Sequence, residues 1–193
     1  MAKRVIPVTS WAKMVGLNDG VLVLRPKAAQ MFELSKTKIG QILYGDVVEC
    51  DLNGVLDCSS SFVDEFIIGW QRIVNQVENA MLILVNATSD VQYTIEAALN
   101  QRNKLSNESI VLVIYSENEY EALGNRIEKN VREVFALLAE GSRITARLIA
   151  DKFGLELNSA GNRLKKLYDA HMVMRSEQGI DAGGKFEYYI PKL

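Results

Sequence analysis

Asn158, Ser159, Asn162 and Arg163 gather an amide, a hydroxyl, a second amide and a guanidinium into one short stretch. Spaced three and four apart on a helix, they share a face. Those groups suit base edges in a major groove, where amides pair with adenine and guanidinium with guanine. Lys165 and Lys166 follow directly, and with Thr145 they would meet phosphates. Arg175 and Lys185 lie further on and would act from a hairpin, on backbone or in the minor groove. Gly161 sits among the polar residues and would let the backbone approach closely. The competing reading is a solvated helix face, since exposed polar residues usually serve nothing more.

Other chemistry is thinner. Asp51, Asp57, Asp64 and Glu65 form an acidic group without a histidine or a glycine-rich phosphate loop. Carboxylates alone are more often loop and cap residues than acid–base pairs or a metal site. One histidine and two cysteines cannot supply the usual zinc spacings. His171 falls on the apolar side of its helix and reads as a core-edge residue. Cys58 has no Lys, Arg or His close in sequence and reads as a small buried side chain. There is no P-loop, dinucleotide fingerprint or nucleophile elbow. The expectation is a protein with no catalytic residues, no metal and no cofactor, hence not an enzyme.

The polar face needs a scaffold, and the last third of the chain provides one. Val131, Val134, Phe135 and Leu138 recur at helical spacing, and Gly141 stops that helix. Thr145 can cap a second helix carrying Leu148, Ile149, Ala150 and Phe153, which Gly154 ends. The third helix carries Ala160, Leu164, Leu167 and His171 inward. Met172–Ser176 and Lys185–Ile190 read as strands joined by a loop with Gly183-Gly184. Helices this short must bury their faces on one another, with the hairpin closing the core. The stretch ITARLIADKFGL, then Ala160-x-x-x-Leu164-x-x-Leu167, then the hairpin, resembles a winged helix-turn-helix domain of bacterial transcription regulators. Glu156 stands where a serine or threonine usually precedes the recognition helix, so the helix start falls between Glu156 and Asn158.

Charge is distributed unevenly. Residues 1–125 hold 10 Lys and Arg against 15 Asp and Glu, a balance of −5; residues 126–193 hold 12 against 9, a balance of +3. A basic module joined to an acidic one fits a nucleic-acid partner for the former. The chain is 48% apolar and 24% charged, as in ordinary soluble globular proteins. No apolar run is long enough to span a bilayer, and MAKRVIPVTSWAK has no signal-peptide core. A cytoplasmic protein with reduced thiols is expected.

Ahead of the basic part, strand and helix patterns alternate. Val5–Val8 reads as extended, with one or two helical turns at Trp11, Met14 and Leu17. VLVLRP (21–26) reads as a strand, and Ala28–Tyr44 as a helix. Val47–Leu52, Met81–Val85 and Ile110–Tyr115 read as buried strands. Between them run helices with Phe62, Phe66, Trp70 and Ile73 inward, then Val91, Ile95 and Leu99. This alternation predicts an α/β sheet covered by helices. Residues 117–126 are either a helix running into the next one or a jointed linker.

VVECDLNGVLDCSSSFVDEF, with VNATSDVQYTIEAALNQR downstream, is similar to STAS-like domains, the fold class of the bacterial anti-sigma-factor antagonists. The nearest resemblance is to a STAS-like family of unassigned function. The resemblance implies phosphorylation at Ser60 by a partner kinase of the GHKL ATPase type. Ser59 and Phe62 replace the Asp and Gly that accompany the phosphorylated serine in the antagonists. The residues themselves offer another role, because Ser61-x-x-Asp64 resembles a capping box. Capping is the preferred reading.

The sequence therefore predicts an α/β STAS-like domain, a mixed sheet with helices, over residues 1–116 (core 25–115). A connector at 117–129 and a small α+β winged-helix domain at 130–193 follow. The expected function is that of a DNA-binding transcriptional regulator, a homodimer on double-stranded DNA with no membrane partner. The alternative is an adaptor without DNA whose STAS-like part binds a GHKL-type ATPase.

Overall fold

MLILV is apolar at every position, and a strand needs that only when both of its faces are covered. In the computed structural model, which describes residues 2–106, 108–177 and 185–193, this run is β5 (Met81–Val85), fully buried at the centre of a five-stranded sheet. The order is β1 (Lys3–Pro7), β3 (Val47–Asp51), β5, β6 (Leu112–Ser116), β7 (Glu119–Leu123). The first four strands are parallel, in a register that sets Arg4 beside Val48 and Val48 beside Leu82; β7 runs antiparallel to β6. The molecule is a mixed α/β fold with a mixed sheet.

Alternation along β5 divides the core in two. Leu82 and Leu84 face a layer built from Met31, Phe62, Phe66, Trp70, Ile95 and Leu99. This layer comes from α2 (Arg25–Ile39), α5 (Ser89–Leu105) and one continuous helical run. That run is α3 (Ser60–Phe62), a π-helical turn (Val63–Ile67) and α4 (Ile68–Val74). Met81, Ile83 and Val85 face the other way, onto the last third of the chain.

Several elements differ from expectation. Only Val21–Leu22 of the predicted strand is extended; it is β2, paired with β4 (Asp57–Cys58). Leu24 then takes φ 73, and Pro26 sits in the first turn of α2, where its missing N–H costs nothing. α2 stops at Ile39 rather than Tyr44, because Gly40 takes φ 72 and ends the run. The third strand starts late, as the Asn103 side chain takes both the N–H and the C=O of Ile110, at 3.0 and 2.7 Å. Residues 117–126 contain neither a helix nor a loose linker along their length: Glu117 and Asn118 take φ 52 and 68, a hairpin turn, and β7 follows. The N-terminal residues do join the sheet, as β1 and then α1 (Val8–Met14).

β1 is fastened by Asp46. Its carboxylate accepts from Arg4 Nε at 2.7 Å and from the backbone N–H groups of Leu43 and Ala2 at 3.0 and 3.2 Å. Burial raises its pKa, but Arg4 and the two amides outweigh burial and hold it below the ordinary carboxylate value. A lowered folded pKa gives stability that is present above the unfolded value, about 4, and is lost as pH falls through the folded one. Asp46→Asn is expected to be less stable than wild type at neutral pH in urea titrations. The gap should close below about pH 4, and a constant gap would deny Asp46 this role.

The last third comprises α6 (Lys129–Ala139), α7 (Ala146–Phe153) and α8 (Leu157–Asp169). A three-stranded antiparallel sheet of β8 (Ile144–Thr145), β10 (Phe186–Tyr189) and β9 (Met174–Glu177) joins them, in that order. The expected helical stripes are buried, including Val134, Phe135, Leu138, Ala160, Leu164 and Leu167. Both long strands are shorter than predicted, and the Gly183-Gly184 turn lies outside the described residues. This unit's core is continuous with the sheet: Val134, Leu164 and Met172 share one cluster with Val47, Met81, Ile83 and Val113.

Candidate nucleic-acid interface

α8 is held by Ala160, Leu164, Leu167 and Tyr168, which it turns inward. Its opposite face follows from that choice. Asn158, Ser159 and Asn162 are exposed, and among the described residues their side chains make no hydrogen bond. Arg163 is half-buried, its guanidinium 5.8 Å from the Phe153 ring centroid, within the reach of a weak cation–π contact. The helix begins at Leu157 with Glu156 as an N-cap that makes no side-chain cap bond. Two amides, a hydroxyl and a guanidinium are thus brought together on one side of α8.

Gly161 is half-buried, and a Cβ there would meet Ala146 Cβ at 4.0 Å, an ordinary contact. Packing does not require this glycine, and the spacing records how closely α7 passes α8. Thr145 caps α7, its hydroxyl accepting from Leu148 N–H at 3.4 Å. A hydroxyl that accepts still has a hydrogen to donate, so capping leaves Thr145 able to meet a phosphate.

The cations are less free than the amides. Lys165 pairs with Asp169 one turn on, and Lys166 pairs with Glu128 at 2.6 Å. All four side chains are more than half exposed, so these pairs are weak and a phosphate can replace either acid. Lys185 is exposed at the foot of β10, 3.8 Å from Glu177. Arg175 is placed differently from the free wing cation expected of it. Its guanidinium lies between the Tyr168 and Phe186 rings, 4.0 and 4.1 Å from their centroids, and 3.2 Å from Glu78. Its side chain is 23% exposed. The two rings are close to it in sequence, but Glu78 is ninety-seven residues away, so only the fold reveals that partner.

Arg147 and Lys152, both exposed on α7, were not among the expected contacts. Arg147 adjoins Ala146, the residue nearest Gly161 of α8. A cation in the first turn of a helix opposes the macrodipole, and that was the signal in the sequence.

The serine cluster is arranged otherwise than predicted. Ser59, not Ser61, is the N-cap: its Oγ accepts from Phe62 N–H at 3.2 Å and lies 3.0 Å from Ser61 Oγ. Three serines in a row offered three caps, and the turn entering α3 selects the first. Ser59→Ala is expected to cost about 1 kcal/mol in denaturant unfolding, and Ser61→Ala less; the reverse order would restore Ser61 as the cap. Ser60 is exposed and borders a cleft of about 250 Å³ with Arg25 and Arg102.

The acidic residues do not converge on that cleft as a catalytic set. Arg25 Nη1 lies 3.0 Å from both Asp64 and Glu65, and Arg102 lies 3.4 Å from Asp64. Asp51 accepts from Asn53 N–H and Asn86 Nδ2 at 3.0 and 2.8 Å, fixing two loops. Among the described residues no group of three His, Cys, Asp or Glu side chains could hold a metal ion. Both cysteines are buried and unpaired; burial and then Asp57 push the Cys58 thiol up to about 11, and burial raises Cys50 further. His171 sets Nδ1 2.9 Å from the carbonyl of Ala80. Among the described residues no helix is long and apolar enough to cross a membrane.

The chain matches no family model, no curated protein and no solved structure.

Proposed function

We propose that this protein is a DNA-binding transcriptional regulator, built from a STAS-like N-terminal part and a C-terminal winged helix. The observation that carries the reading is the outward ridge of α8, where Asn158, Ser159, Asn162 and Arg163 stand together with the amides and hydroxyl unpaired among the described residues. A duplex major groove accepts a helix of this width and offers the acceptors and donors those groups need. Lys165 and Lys166 on α8, Thr145 at the start of α7 and Lys185 beside β10 would meet phosphates, with Arg147 added from α7. Strand order β8-β10-β9 beside the helices supports the winged-helix assignment. One helix contacts too few bases for specificity, so a dimer on paired half-sites is the expected assembly. The N-terminal part would sense, dimerise or dock.

A second reading, an adaptor that binds a GHKL-type ATPase, is favoured by one observation. Leu105, 77% exposed, lines the cleft that Ser60 borders, and Leu24, 59% exposed, precedes Arg25 of the same lining in sequence. Exposed apolar side chains near such a cleft suit a protein partner. A gel shift with DNA from upstream of its own gene, at two salt concentrations, separates the two. Salt-dependent retardation supports the regulator, and its absence supports the adaptor.

A further inference from the structure

β9 is the outer strand of the small sheet, and an outer strand leaves every second N–H and C=O without a strand partner. At Arg175 that gap is filled from the other half of the chain. Asn79 Oδ1 accepts from Arg175 N–H at 2.8 Å, and Asn79 Nδ2 donates to Arg175 C=O at 3.1 Å. One side-chain amide thus imitates the next strand of the sheet. Asn79 is 5% exposed and takes φ 58, a conformation that asparagine tolerates better than most residues.

Its two neighbours do related work. The Glu78 carboxylate meets the Arg175 guanidinium and accepts from the Tyr168 hydroxyl, both at 3.2 Å. The Ala80 carbonyl meets His171 Nδ1 at 2.9 Å. Tyr168 is in the last turn of α8, and His171 lies just beyond it. Three consecutive residues therefore grip both the end of α8 and the first strand of the hairpin. They do so from the turn that enters β5, the central strand of the large sheet.

We infer that Asn79 is a positioning residue for DNA contact: it fixes the height of the β9–β10 hairpin relative to α8, so that Lys185 and the α8 ridge engage one duplex together. The inference rests on the regulator reading. It also gives Arg175 a role within the clasp in place of direct DNA contact.

Asn79→Gly isolates the amide, because glycine keeps the positive φ without strain. In the full-length protein the Arg175 amide should then exchange with solvent roughly tenfold faster, as loss of one hydrogen bond predicts. Binding to a mixed-sequence DNA duplex should weaken roughly fivefold to tenfold. Lys185→Ala should flatten the salt slope by about one phosphate contact in wild type and change nothing in the Asn79→Gly background. Loss of stability alone would not erase the Lys185 effect, which makes this coupling the decisive readout. Glu78→Gln, which weakens the grip on Arg175 and Tyr168 and leaves the Asn79 amide in place, should lie between wild type and Asn79→Gly. If wild type binds DNA and Lys185→Ala acts equally in both backgrounds, or if the Arg175 amide stays equally protected, the positioning role is overturned and the regulator reading stands. If wild type shows no salt-dependent binding, the regulator reading fails, and this inference with it.

Discussion

Leu164→Ala is expected to destabilise the whole chain by about 2–5 kcal/mol, the range for a buried leucine truncated in a well-packed core. Leu164 is fully buried in α8, within the cluster that also holds Val47, Met81, Ile83 and Val113 of the large sheet. Both tryptophans, Trp11 and Trp70, belong to the opposite core layer. Their fluorescence reports on the N-terminal part, far along the chain from residue 164. Because one cluster joins the two parts, urea unfolding followed by tryptophan emission should shift by the same free energy as unfolding followed by far-UV circular dichroism. An unchanged tryptophan transition beside an earlier loss of helix would show that the last third unfolds separately. The shared core would then contribute little coupling.

On the proposed regulator reading, Arg163→Ala is expected to weaken DNA binding by about 1–3 kcal/mol and to relax sequence preference, as removal of a base-reading guanidinium does. Lys166→Ala should act differently. Its ammonium already shares Glu128 at 2.6 Å on an exposed surface, so it can offer a phosphate one charge and no base selectivity. Its loss should weaken all sequences evenly and reduce the salt slope by about 0.9. Competition binding with a selected and a scrambled duplex at two salt concentrations separates the two effects. Identical behaviour of both variants, without a change in salt slope, would remove α8 from the contact surface.

Much of this architecture was legible in local patterns. MLILV and VVECD announced strands covered on both sides, and the Val131–Leu138 stripe announced α6. The Thr145 cap and the Gly154 stop, at φ 63, bounded α7. Features decided by distant partners were not legible. β7 is short and acidic, and its pairing with β6 depends on a two-residue turn at Glu117-Asn118 with no glycine to mark it. Arg132 of α6 donates at 2.8 Å to the carbonyls of Ala122 and Gly124, along β7 and just past its end, a contact no spacing rule predicts. Arg175 looked like a free cation because Glu78 and Asn79 lie in the other half of the chain. At the serine cluster the residue types were right and the position was off by two, since Ser59 and Ser61 offer the same hydroxyl and only the backbone chooses.

The ridge of α8 is tested most directly by the affinity of the full-length protein for a DNA duplex as salt is raised. If Lys165, Lys166 and Lys185 meet phosphates, log affinity should fall against log salt with a slope of about −3 per protomer, steepening further if Arg147 takes part. A flat dependence, or no retained duplex at low salt, would contradict the account.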